Sequence, residues 1–136
     1  IISDGDTIKI NGEKIRFGGI DAPETNFFGK KQFCYLDDLK ILCGNQSKEK
    51  LRKKIGKNSI KCFIEKDKDK YKRYVGECFL NNESLSAYMV RSGFAFDYPK
   101  YSKGKFKKDQ DFAKYYSLGL WNMHFEYPWI WRRKNR

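Results

Sequence analysis

The order of elements in this sequence predicts an α+β fold, a small β-barrel packed by helices on one side. Two observations supply the strands: an alternating apolar pattern folded about Asn11-Gly12, and a second pair of strand-like runs on either side of a polar stretch at 66–72. A third supplies the helices, which are amphipathic segments ending at Gly56, Gly93 and Gly119.

Residues 6–20 carry period-two apolar positions around Asn11-Gly12, the pair that best tolerates the positive φ of a two-residue hairpin turn. The chain must leave the sheet near Pro23, which has no amide hydrogen to give to a ladder. Residues 25–44 stay open between a short helix over 33–42 and a loop tied down by Cys34 and Cys43. Asn45 is expected to cap a helix running to about Ile55, with Leu51 and Ile55 on one face. Strands are expected over 59–65 and 73–80, with Asn81-Asn82 as a turn. Residues 84–91 read as a helix with Leu85, Tyr88 and Met89 on one face, and 106–118 as another. The rings of Pro128-Trp129-Ile130-Trp131 are expected to pack against the domain rather than stack on bases.

A length of 136 residues with 40% apolar composition fits one domain spanning 1–136. No apolar run approaches 18 residues, so no segment is expected to insert into a membrane. The chain opens on Ile1-Ile2, already alternating like a strand, and removal of an upstream segment such as a signal peptide, or trimming, is expected. A net charge of +12 creates a field that attracts polyanions, nucleic acid foremost. Four cysteines fit two disulfides or four core thiols; their spacing lacks the Cys-x-x-Cys pairs of zinc sites, and the one histidine, His124, is distant in sequence.

Against this positive charge, acids cluster: Asp4 and Asp6 precede the first hairpin strand, and Asp21 and Glu24 follow the second. Pairing centred on Asn11-Gly12 sets residue 6 nearly opposite residue 17, which brings the two groups to the same end of the hairpin. Converging hard oxygen ligands suit Ca²⁺ or Mg²⁺, with a carbonyl such as that of Ala22 and waters completing the shell. If Arg16 and Arg73 both turn toward these acids, two guanidinium forks would flank the ion and clamp a phosphate.

Three blocks in order and spacing, Asp4-Gly5-Asp6-Thr7, Arg16 ahead of Ile20-Asp21-Ala22-Pro23-Glu24, and Asp69-Lys70-Tyr71-Lys72-Arg73, resemble the signature of the staphylococcal nuclease family. The likeness continues through 85–93 and Gly119-Leu120-Trp121. It implies a five-stranded OB-fold β-barrel with about three α-helices, and a Ca²⁺-dependent nuclease acting on DNA or RNA. In that resemblance Asp6, Asp21 and the Ala22 carbonyl hold Ca²⁺, and Asp4 is an outer-shell acid. Glu24 orients or deprotonates the attacking water, Arg16 and Arg73 stabilise the phosphoryl transition state, and Lys70 and Tyr71 bind substrate. Tyr98 and Tyr101 are only loose counterparts of the family's base-facing tyrosines.

The cysteines and the Pro-Trp-x-Trp-Arg tail at 128–132 are similar to those of exported bacterial relatives, which implies a secreted or periplasmic monomer. Cys62 opposite Cys78 implies a hairpin centred on Lys70, within the polar connection, and a Cys62–Cys78 bridge; Cys34 is expected to pair with Cys43. The reading that competes with an enzyme is an OB-fold nucleic-acid-binding module without catalysis. A charge-driven binder of anionic membranes explains the lysine runs but not the acids.

Overall fold

A computed structural model describes residues 1–136. Ile2–Asp4 (β1) pairs with Thr7–Ile10 (β2) around the Gly5-Asp6 turn, and β2 pairs with Glu13–Phe17 (β3). Asn11 and Gly12 take φ of 50° and 82°, as the hairpin turn requires. Thr7 lies opposite Arg16, and the amide of Phe17 donates to the carbonyl of Asp6 at 2.8 Å, so the expected register is observed. Ile20–Asp21 (β4) then leaves this sheet ahead of Pro23.

The stretch left open by the sequence holds a small hairpin, Cys34–Leu36 (β5) with Leu39–Ile41 (β6), and no helix over 33–42. Cys34 is bridged to Cys43, which opens the first long helix, Cys43–Ile55 (α1). Asn45 therefore lies inside that helix instead of capping it: the N-cap position is Leu42, whose side chain gives no capping bond. The start is set by tertiary contact, because Gly44 presses against the backbone of Glu24 so closely that a Cβ there would overlap the Glu24 carbonyl.

Lys61–Lys66 (β7) and Tyr74–Leu80 (β8) form the second hairpin in the expected register, with Cys62 opposite Cys78 and the two bridged. The strand runs on through a bulge to Lys66, and Arg73 sits just before β8 rather than starting it. β8 also runs parallel to β3 and pairs with Glu83–Ser84 (β9). The hydrogen-bonded order is thus β1-β2-β3-β8-β7 with β9 on β8, five main strands of the OB type and a short sixth.

Leu85–Arg91 (α2) is capped by Ser84, whose hydroxyl accepts from the amide of Ala87 at 3.2 Å. Phe96–Asp97 (β10) pairs with β4, and Pro99–Ser102 (α3) and Lys107–Tyr115 (α4) follow. The expected helix over 106–118 stops early, because Ser117 turns to φ 53° and the chain enters a 3-10 turn over Gly119–Asn122. There the backbone of Leu118 packs on Gly93 (φ 84°), a position where any Cβ would strike the Leu118 carbonyl. Pro128–Lys134 (α5) completes five helices, two of them short ones that the sequence pattern did not separate from loop.

The main core joins Ile8 and Phe17 of the main sheet and Ile20 of β4 to Leu51, Leu85 and Met89 of the helices, each essentially without solvent contact. Each such side chain contributes about 1.5–3 kcal/mol on burial. A second cluster centred on Cys34, Cys43, Phe96 and Leu120 collects Trp121, Phe125, Tyr127 and Trp129. The tail aromatics therefore pack, as expected.

Candidate active site

Both hairpin ends deliver acids to one place. Asp6 sits in the β1–β2 turn, where Thr7 Oγ1 donates to its Oδ1 at 2.9 Å and the amide of Ala22 donates to its Oδ2 at 2.8 Å. That second bond ties the first acid group to the Asp21–Glu24 segment. Asp4 makes a parallel tie, since its Oδ1 accepts from the amide of Thr25 at 3.3 Å and from Thr25 Oγ1 at 2.5 Å.

Arg16 projects from β3 into the gap between the groups. Its Nη1 donates to the carbonyls of Phe17 at 2.6 Å and Ile20 at 2.8 Å, so the guanidinium is sewn to the turn that leads into Asp21. Its Nη2 stands 3.3 Å from Asp21 Oδ1 and 3.5 Å from Asp6 Oδ2. Nε makes no bond inside the protein. Burial works against the charge on Arg16, but Asp6 and Asp21 outweigh it and raise its pKa.

A second guanidinium, absent from the sequence reading, arrives from α5. Arg132 Nη1 donates to Asp21 Oδ1 at 3.0 Å and to Glu24 Oε1 at 3.2 Å, and Nη2 donates to Asp21 Oδ2 at 2.8 Å. The residue stands in the Pro-Trp-x-Trp-Arg tail, whose rings pointed to packing; a basic residue held next to a buried anchor was the available signal.

Burial raises the pKa of Asp21, opposed by Arg132 and Arg16. Burial, then repulsion from Asp6, raises that of Asp4. Glu24 is pushed up to about 8, by burial first and then by Asp6 and Asp4. With all four acids ionised, the two arginines would leave two negative charges uncompensated; burial and this repulsion make Asp4, Asp21 and Glu24 resist ionisation without a cation. Each acid keeps an acceptor position unused by protein: Asp4 Oδ2, one lone pair on Asp6 Oδ1, one on Asp21 Oδ2, and Glu24 Oε2. Hard oxygen donors with spare lone pairs and two uncompensated charges fit a divalent cation such as Ca²⁺. No three His, Cys, Asp or Glu side chains form a ready-made cluster, so carbonyl and water oxygens would have to complete a shell.

The third block stands apart. Arg73 turns to Asp69, with Nε and Nη2 each 3.1 Å from Asp69 Oδ2, and no ion pair or hydrogen bond joins it to Asp6, Asp21 or Glu24. Burial opposes the charge on Asp69, but the amides of Arg73 and Tyr71 and the Arg73 guanidinium lower its pKa. The Tyr71 ring is exposed between two cations, Arg73 5.1 Å and Lys70 5.2 Å from its centroid. Of the two arginines that could turn toward the acids, Arg16 does and Arg73 does not. Lys70, Tyr71 and Arg73 instead form a cationic, aromatic edge on the loop before β8.

Behind Glu24, Gln32 is fully buried: its Oε1 accepts from the Glu24 amide at 3.1 Å and its Nε2 donates to the carbonyl of Glu126 at 2.9 Å. The segment carrying Glu24 is thus held by α1, through Gly44, and by the tail, through Gln32.

Residues 14–123 match the family model described as staphylococcal nuclease homologue. Over 125 residues, 90% of its length, the chain is 35% identical to probable staphylococcal-like nuclease CAN3 of Oryza sativa subsp. japonica, of which this covers 29%. It is 30% identical, over 93% of its length, to succinoglycan biosynthesis protein ExoI of Rhizobium meliloti, covering 64% of that protein. It is 29% identical to an uncharacterized endonuclease of Haemophilus influenzae, over 99% of this chain and 71% of the relative. The chain spans about three tenths of the length of the rice relatives it matches.

Proposed function

This chain belongs to the staphylococcal nuclease homologue family, and from that premise we propose that it is a Ca²⁺-dependent nuclease hydrolysing phosphodiester bonds of DNA or RNA. A nuclease or nucleic-acid-related function follows from the family itself. What supports the finer reading is one arrangement: Asp6 and Asp21 share the Arg16 guanidinium at the end of the β2–β3 hairpin, and Glu24 is joined to Asp21 through Arg132.

Asp6 and Asp21, with the Ala22 carbonyl and with Asp4 outside, would hold Ca²⁺, which when bound supplies charge neutralisation on a phosphoryl oxygen and an oriented, more acidic water. Glu24, ionised once a cation offsets the repulsion of Asp6 and Asp4, would present Oε2, free of protein partners, to a water and fix its direction of attack. Arg16 keeps Nε for a phosphate oxygen while its Nη atoms hold the turn, so its charge meets the transition state already oriented. Lys70, Tyr71 and Arg73 would bind substrate away from the acids, where the exposed ring and its two neighbouring cations suit a base and its phosphate.

One observation favours a second reading, a nucleic-acid-binding module without catalysis: Arg73 is engaged by Asp69 instead of facing the acids. Cleavage of single-stranded DNA with Ca²⁺, with and without excess chelator, separates the two. Chelator-sensitive cutting supports the enzyme; tight binding with no cutting supports the module. Residues 1–136 form one unit and act as a monomer on this reading, and the two disulfides support a secreted or periplasmic setting.

A further inference from the structure

The tail contact on Asp21 has a function of its own. We propose that Arg132 is a positioning residue that sets Asp21 and Glu24 relative to each other, making α5 an integral part of the reaction site. The inference rests on the nuclease reading above.

Arg132 is the one side chain that bonds both carboxylates, and it does so as a planar fork: two prongs on Asp21 and one of them shared with Glu24 Oε1. Such a clasp fixes the angle between the groups as well as their distance, which a flexible point charge cannot do. It also chooses which atoms remain available, because it consumes Glu24 Oε1 and leaves Oε2, and leaves one lone pair on Asp21 Oδ2.

The clasp is presented rigidly. Trp131, the preceding residue, is buried with its ring 5.9 Å from that of Phe27, and Pro128 is buried at the helix start. Trp129 stacks between Tyr127 at 4.6 Å and Tyr98 at 4.7 Å, and Asn135 Nδ2 closes the helix end on the Trp131 carbonyl at 2.8 Å. Gln32 then joins the Glu126 carbonyl, just before this helix, to the backbone of Glu24 itself. A guanidinium anchored on this scale is built to stay, which separates it from a plug that must swing away when a cation arrives.

The test compares Arg132→Gln and Arg132→Lys with the whole chain, reading kcat and KM on single-stranded DNA, Ca²⁺ affinity by calorimetry without substrate, and the melting temperature. Misaligned reacting groups cost about 10–100-fold, so Arg132→Gln should lose that much kcat with KM within about threefold. Its Ca²⁺ affinity should rise at least about threefold, because a competing positive charge has left the acids. Arg132→Lys restores the charge and should return Ca²⁺ affinity toward wild type while kcat stays low. Wild-type or faster turnover in Arg132→Gln would make the residue a plug, a raised KM with kcat kept would make it a phosphate ligand, and full recovery of kcat in Arg132→Lys would make it a mere charge; each overturns the proposal. A wild type that cuts nothing defeats the nuclease reading, and the inference is then judged on ion affinity, where equal values for wild type and Arg132→Gln overturn it. Should Arg132→Gln not fold, the lysine variant carries the comparison.

Discussion

The carboxylate of Asp21 and the guanidinium of Arg132 meet in a two-pronged ion pair of 2.8 and 3.0 Å across 111 positions of sequence. Asp21 has no solvent contact and also receives Arg16, so it is the hub on which both guanidiniums converge. Even with both, the surrounding acids are undercompensated, and that imbalance sets the first expectation.

Ca²⁺ should stabilise the fold. Only the folded state brings Asp4, Asp6, Asp21 and Glu24 together, and there burial and mutual repulsion raise the pKa values of Asp4, Asp21 and Glu24, so a cation that favours their ionised forms binds the folded chain alone. With two direct carboxylates the affinity belongs with extracellular sites, about 10⁻⁴–10⁻³ M. At 100 times its dissociation constant a ligand that binds only the folded state adds about 2.7 kcal/mol. A melting temperature that responds equally to Ca²⁺ and to NaCl of matched ionic strength would remove the cation site.

Arg16→Lys and Arg73→Lys are expected to fail differently. Arg16 uses two nitrogens on four acceptors, and lysine cannot span the Phe17 and Ile20 carbonyls while facing Asp21. Turnover should fall about 10² or more. Arg73 must give up Asp69 to reach a phosphate, so its lysine variant should show loss that depends on substrate length and salt as well as lost turnover. Wild-type kinetics in Arg16→Lys would reduce that residue to a structural strut.

Glu24→Gln keeps shape and the contact through Oε1 but removes the carboxylate offered to water. Turnover should drop strongly while nucleic-acid affinity, set by the basic surface, stays near wild type and still weakens steeply with salt. Equal loss of affinity and turnover would place Glu24 among the structural or ion-holding residues.

What the sequence revealed and what it concealed divide along local and distant constraints. The Asn11-Gly12 turn fixes the index pairing of one hairpin and the polar stretch at 66–72 centres the other, so the meeting of Asp6 with the Asp21 segment and that of Cys62 with Cys78 were both legible. Arg132 was not, because its place depends on how α5 packs on Phe27, Tyr98 and the second core cluster, none of which periodicity reports. The helix start at Cys43 was misplaced for the same reason: a bridge and the close contact of Gly44 with Glu24 overrode local capping chemistry. Arg73 shows the converse, since its motif was plain while its nearest acid, Asp69, lies in the same loop and claims it.

The two disulfides should prove separable in function. Each closes a short loop, with sequence separations of 9 and 16, so removing either should cost about 2–4 kcal/mol in denaturant unfolding. Their positions differ. Cys62–Cys78 ties two strands that already pair at five positions, from Lys61–Phe79 to Lys66–Val75. Cys34–Cys43 instead joins the β5–β6 hairpin to the first residue of α1, next to Gly44, which bears on the Glu24 backbone. Between Glu24 and Cys34 lies Gln32, whose side chain and amide both bond the Glu24 backbone, so loosening this loop loosens the residue that orients water. Paired alanine substitutions at Cys62 and Cys78 should therefore lower stability while leaving kcat, measured well below the melting point, within about threefold. The same change at Cys34 and Cys43 should lower both, with the loss in kcat about 10-fold or more from misplacement of Glu24. Equal effects of the two pairs on kcat would show that the bridge beside α1 acts on stability alone.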